Sequence, residues 1–164
     1  MDMEKYRFKI KSLKETKEEY NRLKSLRKKL VFTNGCFDIL HPGHTRYLCA
    51  ARELGNHLTV AVNSDRSIRT LKGPERPIIS EQARAELLAA LSCIDIVLIF
   101  DEDNPLKIIQ HLVPDILVKG GDWAEEKIIG ADVVRKAGGE VKRIPYIDGF
   151  STTALIEKVL NDHS

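Results

Sequence analysis

The sequence predicts an α/β domain, a doubly wound sheet of five parallel strands with helices on both faces, from three observations. Short β-rich runs alternate with stretches of helical period. The runs are nearly continuous in hydrophobicity rather than alternating, as strands buried on both faces are. Residues of unusual chemistry cluster just after the runs, at the carboxyl ends of strands, where open parallel sheets take their ligands. With 164 residues, 43% of them hydrophobic, the chain is long enough to bury a core of its own.

The elements follow in chain order. Residues 12–30 read as an amphipathic helix: Ser12-Leu13-Lys14-Glu15 fits a capping box, and Tyr20, Leu23, Leu26 and Leu30 recur at helical spacing. Strands are expected at 30–33, 58–62, 94–100, 116–119 and 141–144, and helices at 44–54, 81–91, 105–112 and 125–137. Gly55 is placed to stop the first of these helices and Ser80 to cap the second. Right-handed crossovers then lay the helices on both faces of the sheet. The charge is uneven: residues 1–30 hold eleven Lys/Arg against five Asp/Glu, whereas the remainder is mildly acidic. Residues 1–29 are therefore expected to form a charged helical extension and 30–164 the functional domain. The simplest role for the extension is a solvated basic face with its apolar stripe packed on the domain.

Composition excludes several classes. A net charge of +2 gives no broad basic surface for nucleic acid. Three cysteines, Cys36, Cys49 and Cys93, with no C-x-x-C spacing, argue against a disulfide framework or a structural zinc site and for a reducing compartment. No apolar run approaches the ~20 residues that span a bilayer, so a cytoplasmic protein without membrane attachment is expected.

The chemistry concentrates in Asn34-Gly35-Cys36-Phe37-Asp38-Ile39-Leu40-His41-Pro42-Gly43-His44. Pro42 suits a first helical turn, Gly43 admits a ligand to the backbone, and a helix start attracts anions. His41 and His44, flanking Pro-Gly there, are suited to donate hydrogen bonds to phosphate oxygens as charge builds in a transition state. No third metal ligand stands at a recognisable spacing, so no protein metal site is expected. Asp38 is expected to order the loop, and Cys36 to be a small residue at a crowded turn rather than a nucleophile. Lys72 lies in Arg69-Thr70-Leu71-Lys72-Gly73-Pro74-Glu75-Arg76-Pro77, read as a polar loop able to swing over a ligand. Arg84, on the following helix, is either a substrate-phosphate contact or a solvated helical Arg. In Lys119-Gly120-Gly121-Asp122-Trp123 the glycines admit a ligand; Asp122 suits sugar hydroxyls, and Trp123 either walls a base or fills a gap. In Asp148-Gly149-Phe150-Ser151-Thr152-Thr153, hydroxyls and N–H groups either cradle a triphosphate or form an ordinary helix cap.

Taken together, the first motif, Lys119 to Trp123 and Gly149 to Thr153 resemble the cytidylyltransferase-like nucleotidyltransferase superfamily over residues 30–160, whose sheet is Rossmann-like. With Leu71 to Pro77 added, the chain is most similar to the branch that transfers AMP from ATP to heptose 1-phosphate. The resemblance implies that His41 and His44 bind the triphosphate and stabilise the transition state, and that Cys36 and Phe37 line the nucleotide. It implies that Lys72 contacts the reacting phosphates, Arg84 and Gly149 the acceptor side, Gly121, Asp122 and Trp123 the nucleoside, and Ser151, Thr152 and Thr153 the triphosphate. It further implies ATP and a sugar 1-phosphate as substrates, Mg2+ carried mainly by the triphosphate, a homodimer as one compatible assembly, and a separate sugar kinase in the pathway. Glycerol 3-phosphate cytidylyltransferases carry an Arg where this chain has Tyr146, which weakens a CTP assignment. Transfer to glycerol 3-phosphate or phosphopantetheine, and a non-catalytic nucleotide sensor, remain the alternatives. An oxidoreductase is disfavoured because the first turn lacks G-x-G-x-x-G.

Overall fold

The computed structural model describes residues 5–121, 124, 127–145 and 149–161. Five strands, β1 (Leu30–Gly35), β2 (His57–Asn63), β3 (Ile96–Phe100), β4 (Ile116–Gly120) and β5 (Glu140–Ile144), form one sheet in the order β3-β2-β1-β4-β5. Every pairing is parallel, with Val31 beside Ile116 and Leu58, and Gly120 beside Ile144. The chain winds outward from β1 to β3, then returns to the other side of β1 to place β4 and β5. The crevice between the carboxyl ends of β1 and β4 is thus the switch point at which such sheets bind ligands.

Alternate residues of each strand point to opposite faces, and each face has its own core. On one, Leu30, Phe32, Leu98 and Leu117 pack with α1 (Leu13–Ser25), α5 (Leu106–Leu112) and α6 (Ala131–Lys136). On the other, Val31, Val60, Val97 and Val118 pack with α2 (Pro42–Glu53) and α4 (Glu81–Ala89). Two further helices, α3 (Asp65–Lys72) and α7 (Thr152–Asn161), follow β2 and β5. No helix among the described residues is long and apolar enough to cross a membrane.

The predicted strands are present with ends shifted by one or two residues, and the Ser12–Glu15 capping box is formed in both directions. Ser80 caps α4 through its hydroxyl. Three expectations are corrected. The first helix ends at Ser25 rather than near 30, because Arg27 takes a left-handed conformation (φ 54°) and Lys28 N–H returns to the Leu23 carbonyl; Leu26 is left 55% exposed and Leu30 opens β1. Residues 65–72, of which 69–72 are read above as the start of a polar loop, form α3, started by the Ser64 hydroxyl accepting from Ser67 N–H. Finally, α6 begins only at Ala131, because Gly130 is left-handed (φ 85°) and breaks the predicted 125–137 helix; residues 125 and 126 lie outside the described residues.

Gly130 is required by both its backbone and its surroundings. A Cβ there would stand 2.6 Å from Cδ1 and 2.9 Å from Cγ2 of Ile109. Gly130→Ala is expected to lower stability by about 2–3 kcal/mol, through left-handed strain plus overpacking. Urea unfolding should show a lower midpoint with an unchanged slope.

Candidate active site

The site begins where β1 runs out. A Cβ on Gly35 would meet the Phe37 ring at 3.0 Å, so glycine there lets Phe37 fold back over the strand end. Phe37 (φ 49°) and Ile39 (φ 53°) are both left-handed, an unfavourable conformation for these side chains. Asp38 stands between them with its side chain 1% exposed and holds the turn in place. Its carboxylate accepts from Ile78 N–H (2.9 Å), Ile79 N–H (3.0 Å) and Arg76 Nε (2.8 Å), and its carbonyl accepts from the Thr152 hydroxyl (2.8 Å). Burial raises the Asp38 pKa, but the two amides and the guanidinium outweigh it and leave the carboxyl below its ordinary value. The expectation that Asp38 orders the loop is thereby given its partners.

Three residues on, His41 caps α2 in an extended conformation, and its carbonyl accepts from His44 N–H at 2.9 Å. Pro42 occupies the first helical turn, as its fixed φ favours. The His41 and His44 rings stack, with centroids 3.8 Å apart and planes inclined by 22°. Phe37 meets His44 edge-on at 5.6 Å, and Phe150 lies parallel to His41 at 6.1 Å. Gly43 makes this closeness possible: a Cβ there would lie 3.0 Å from His41 Nδ1 and 3.1 Å from Phe150 Cβ. Nδ1 of each histidine is buried without a hydrogen-bond partner.

Burial lowers the pKa of both rings. For His44 the effect is large, to about 4, with burial first and the charges of His41 and Lys72 next. Both imidazoles are therefore neutral at pH 7, each with one N–H to donate and one lone pair to accept. Lys72 influences His44 from the last turn of α3, which corrects its placement in a swinging loop. The same charge is instead carried on a helix end, with Gly73 (φ 95°) following it as the first free joint.

Arg84 is neither of the alternatives offered above. Its side chain is fully buried, with Nε donating to Ile79 O (2.9 Å), Nη1 to Cys36 O (2.6 Å), and Nη2 to Asn63 O and Asp65 Oδ1 (2.8 Å each). A guanidinium so engaged cannot face solvent or hold a substrate phosphate. Instead it ties the carboxyl ends of β1 and β2 to α3 and to the segment that holds Asp38. Cys36 thus presents a backbone fixed by Arg84 and a half-buried side chain.

At the β4 end, Gly121 is buried and left-handed (φ 90°), its N–H donating to Ile144 O at 2.9 Å. Asp122, Trp123 and Tyr146 lie outside the described residues. Gly149 is left-handed (φ 85°) with open space where a Cβ would be. The Ser151 hydroxyl accepts from Ala154 N–H at 3.0 Å, so the ordinary helix cap is realised, while the Thr153 side chain is exposed. The site therefore joins His41, His44, Lys72, Phe37 and the α7 start. The sequence reading missed Arg76, the partner of Asp38, and Lys119, whose Nζ donates to Asn34 Oδ1 at 3.1 Å across the β1/β4 crevice. Lys119 had a signal in its position, the end of a predicted strand.

Among the described residues no group of three or more His, Cys, Asp or Glu could hold a metal ion. The nearby carboxylates Asp38 and Asp65 are already engaged by arginines.

Two measurements test this geometry. Arg84→Met should lower stability by about 3–5 kcal/mol, because it leaves buried carbonyls and Asp65 unpaired, and Arg84→Lys should recover little of that; urea unfolding reads both. Because the folded pKa of His44 (about 4) lies below the ordinary histidine value of 6.5, the unfolded chain takes up this proton first on acidification. The contribution is complete above pH 6.5 and is lost as pH falls toward 4. His44→Asn should lose less stability than the unaltered protein across that window, and the His44 imidazole resonance should titrate near its lower end.

Known proteins resemble this chain in sequence and in fold. A family model described as cytidylyltransferase-like matches residues 32–158. The bifunctional protein HldE of Syntrophotalea carbinolica is 60% identical over 134 residues, covering 82% of this chain and 27% of the relative. HldE of Citrifermentans bemidjiense is 54% identical over 155 residues, covering 94% of this chain and 32% of the relative. The chain thus spans about a third or less of these curated relatives. Among solved structures, a lipopolysaccharide core biosynthesis protein from Thermoplasma volcanium superposes with a TM-score of 0.59 at 31% identity, covering 73% of this chain and 97% of that one. Pantoate-β-alanine ligase from Francisella tularensis, at 13% identity and a TM-score of 0.57, covers 93% of this chain and 76% of its own, and shows the shared fold. By the matched model, by its relatives and by its switch-point site, the chain belongs to the cytidylyltransferase-like family of nucleotidyltransferases.

Proposed function

We propose that this chain transfers AMP from ATP to D-glycero-β-D-manno-heptose 1-phosphate, giving ADP-heptose and pyrophosphate for lipopolysaccharide core synthesis. The observation that carries the reading is the pair of neutral, stacked histidines at the start of α2 with Lys72 beside them. Neutral donors at a helix start suit a group whose negative charge shifts during reaction. The choice of heptose is supported by the HldE relatives and by the Thermoplasma neighbour, a lipopolysaccharide core biosynthesis protein. A kinase acting on the sugar would supply the phosphorylated acceptor.

The reaction is one in-line displacement. A phosphate oxygen of the sugar 1-phosphate attacks the α-phosphorus of ATP; the bond from that phosphorus to the bridging oxygen breaks, and the electron pair leaves with pyrophosphate. A phosphate monoester is already anionic at neutral pH, so no general base and no covalent enzyme intermediate are needed. The chain's contribution is positioning and charge stabilisation. His41 and His44 each donate one N–H toward the phosphates, Lys72 supplies mobile positive charge from the end of α3, and Gly43 lets the phosphates approach the helix backbone. Phe37 and Phe150 pack beside the rings and limit their contact with water. Magnesium bound to the triphosphate would neutralise charge on the leaving pyrophosphate.

His44→Ala and His41→Ala should each lower turnover by about one to three orders of magnitude, the range for lost transition-state donors, in proteins that remain folded. Pyrophosphate release is the assay, with ATP or CTP crossed against heptose 1-phosphate, glycerol 3-phosphate and phosphopantetheine. Release is expected from ATP with heptose 1-phosphate. Release only with CTP would overturn the substrate assignment, and a folded His44→Ala protein with normal turnover would overturn the mechanism.

A further inference from the structure

We propose that Lys119 is an anion anchor of this site, its ammonium taking a phosphate oxygen from the bound nucleotide or from the phosphorylated acceptor. The inference rests on the nucleotidyl-transfer reading above and adds a residue that reading does not use. Lys119 lies one residue before the end of β4, and its Nζ reaches across the switch-point crevice to Asn34 Oδ1 on β1. It therefore stands in the crevice that the sheet topology reserves for a ligand.

The character of its partner is the decisive feature. The other two sequestered cations of the site each have a carboxylate: Arg76 pairs with Asp38 at 2.8 Å, and Arg84 with Asp65 at 2.8 Å. Lys119 has a neutral amide oxygen at 3.1 Å and, among the described residues, no carboxylate within ion-pair distance. Burial holds its pKa below the ordinary lysine value, with only Cys36 acting in the other direction. An ammonium offers three donors, and one amide oxygen answers one of them. Taking a cation out of water without a counter-charge is costly, and an arriving oxyanion removes that cost. The Lys119 side chain is only half-buried, which leaves a ligand a path to it.

The test uses the whole chain and equilibrium calorimetry with three probes: ATP alone, heptose 1-phosphate alone, and inorganic pyrophosphate as a bare oxyanion. Lys119→Met should weaken at least one of them by about ten- to a hundredfold, the range for a lost charge-assisted hydrogen bond. Lys119→Gln, which can keep a hydrogen bond to Asn34, should weaken the same probe, and Lys119→Arg should largely restore it. Loss confined to ATP and pyrophosphate assigns the oxyanion to the nucleotide; loss confined to heptose 1-phosphate assigns it to the acceptor. Unchanged affinity for all three in a folded Lys119→Gln protein overturns the proposal. So does a fall in melting temperature or kcat with all three affinities kept, since that marks a purely structural tie to Asn34. Should the unaltered protein bind ATP and pyrophosphate but ignore heptose 1-phosphate, the sugar assignment fails while those two probes still judge Lys119.

Discussion

The site depends on one buried carboxylate. Asp38 sits between two left-handed residues in a turn that would not hold its shape alone, and its two carboxylate oxygens and its carbonyl are all answered by segments remote in sequence. Amides of Ile78 and Ile79 and the Arg76 guanidinium bring in the segment between α3 and α4; the Thr152 hydroxyl brings in the start of α7. A buried carboxylate is tolerable only when so satisfied, and satisfying it joins three loops that are far apart in sequence. His41 follows Asp38 by three residues, so its ring direction is set by that junction. Arg84 does the complementary work beneath, drawing the carbonyls of Cys36, Asn63 and Ile79 toward one guanidinium. A carboxylate and a cation, each fully engaged, thus fix the floor on which the ligand-facing groups stand.

That fixed floor explains the electrical state of the histidines. Two imidazoles 3.8 Å apart in a desolvated corner cannot both be protonated at neutral pH, and Lys72 discourages the proton further. Neutral rings still donate hydrogen bonds, and they do so without attracting a stray anion as strongly as two imidazolium ions would. Their positive contribution grows when a phosphate arrives, because an anion at 3 Å or so favours the protonated form. The rings are packed before any ligand enters, so little reorganisation accompanies the reaction, which is the condition under which aimed dipoles are most effective.

What could be read from the chain alone follows from the range of the forces involved. Strands showed because burial on both faces demands unbroken apolar runs, and the caps at Ser12 and Ser80 because helix capping is local. Helix α3 escaped because Asp65–Lys72 is polar apart from Ile68 and Leu71, and its one buried stripe is too short to register as a period. The break at Gly130 is set by the Ile109 side chain pressing on it from another helix, which no local pattern reports. The histidine pair was legible because its spacing, Pro42 and Gly43 are contiguous. Arg84 and Arg76 were not, since burial of an arginine is decided by partners 19 to 48 residues away. The basic N-terminal segment was read as a solvated face, and part of it has a structural use. Lys17 and Lys24 on α1 donate to the carbonyls of His111 and Val113 at the end of α5, where a cation also meets the negative end of the helix.

Four cations of the site, Arg76, Arg84, Lys72 and Lys119, divide by chemistry. Arginine, planar and able to serve several acceptors at once, is used where the charge is sealed in: Arg84 gathers three backbone carbonyls and Asp65, and Arg76 pairs with Asp38. Lysine, a compact charge on a flexible stem, stands at element ends: Lys72 at the end of α3 and Lys119 near the end of β4, neither with an ion-pair partner among the described residues. A substrate that brings several phosphate charges into a partly desolvated cleft needs cations that are not already neutralised, and it needs them movable enough to follow charge from the ground state to the leaving group. Were the roles exchanged, with arginine pairs facing the ligand and lysines holding the turns, binding would first have to break an internal ion pair and the turns would lose their forked contacts.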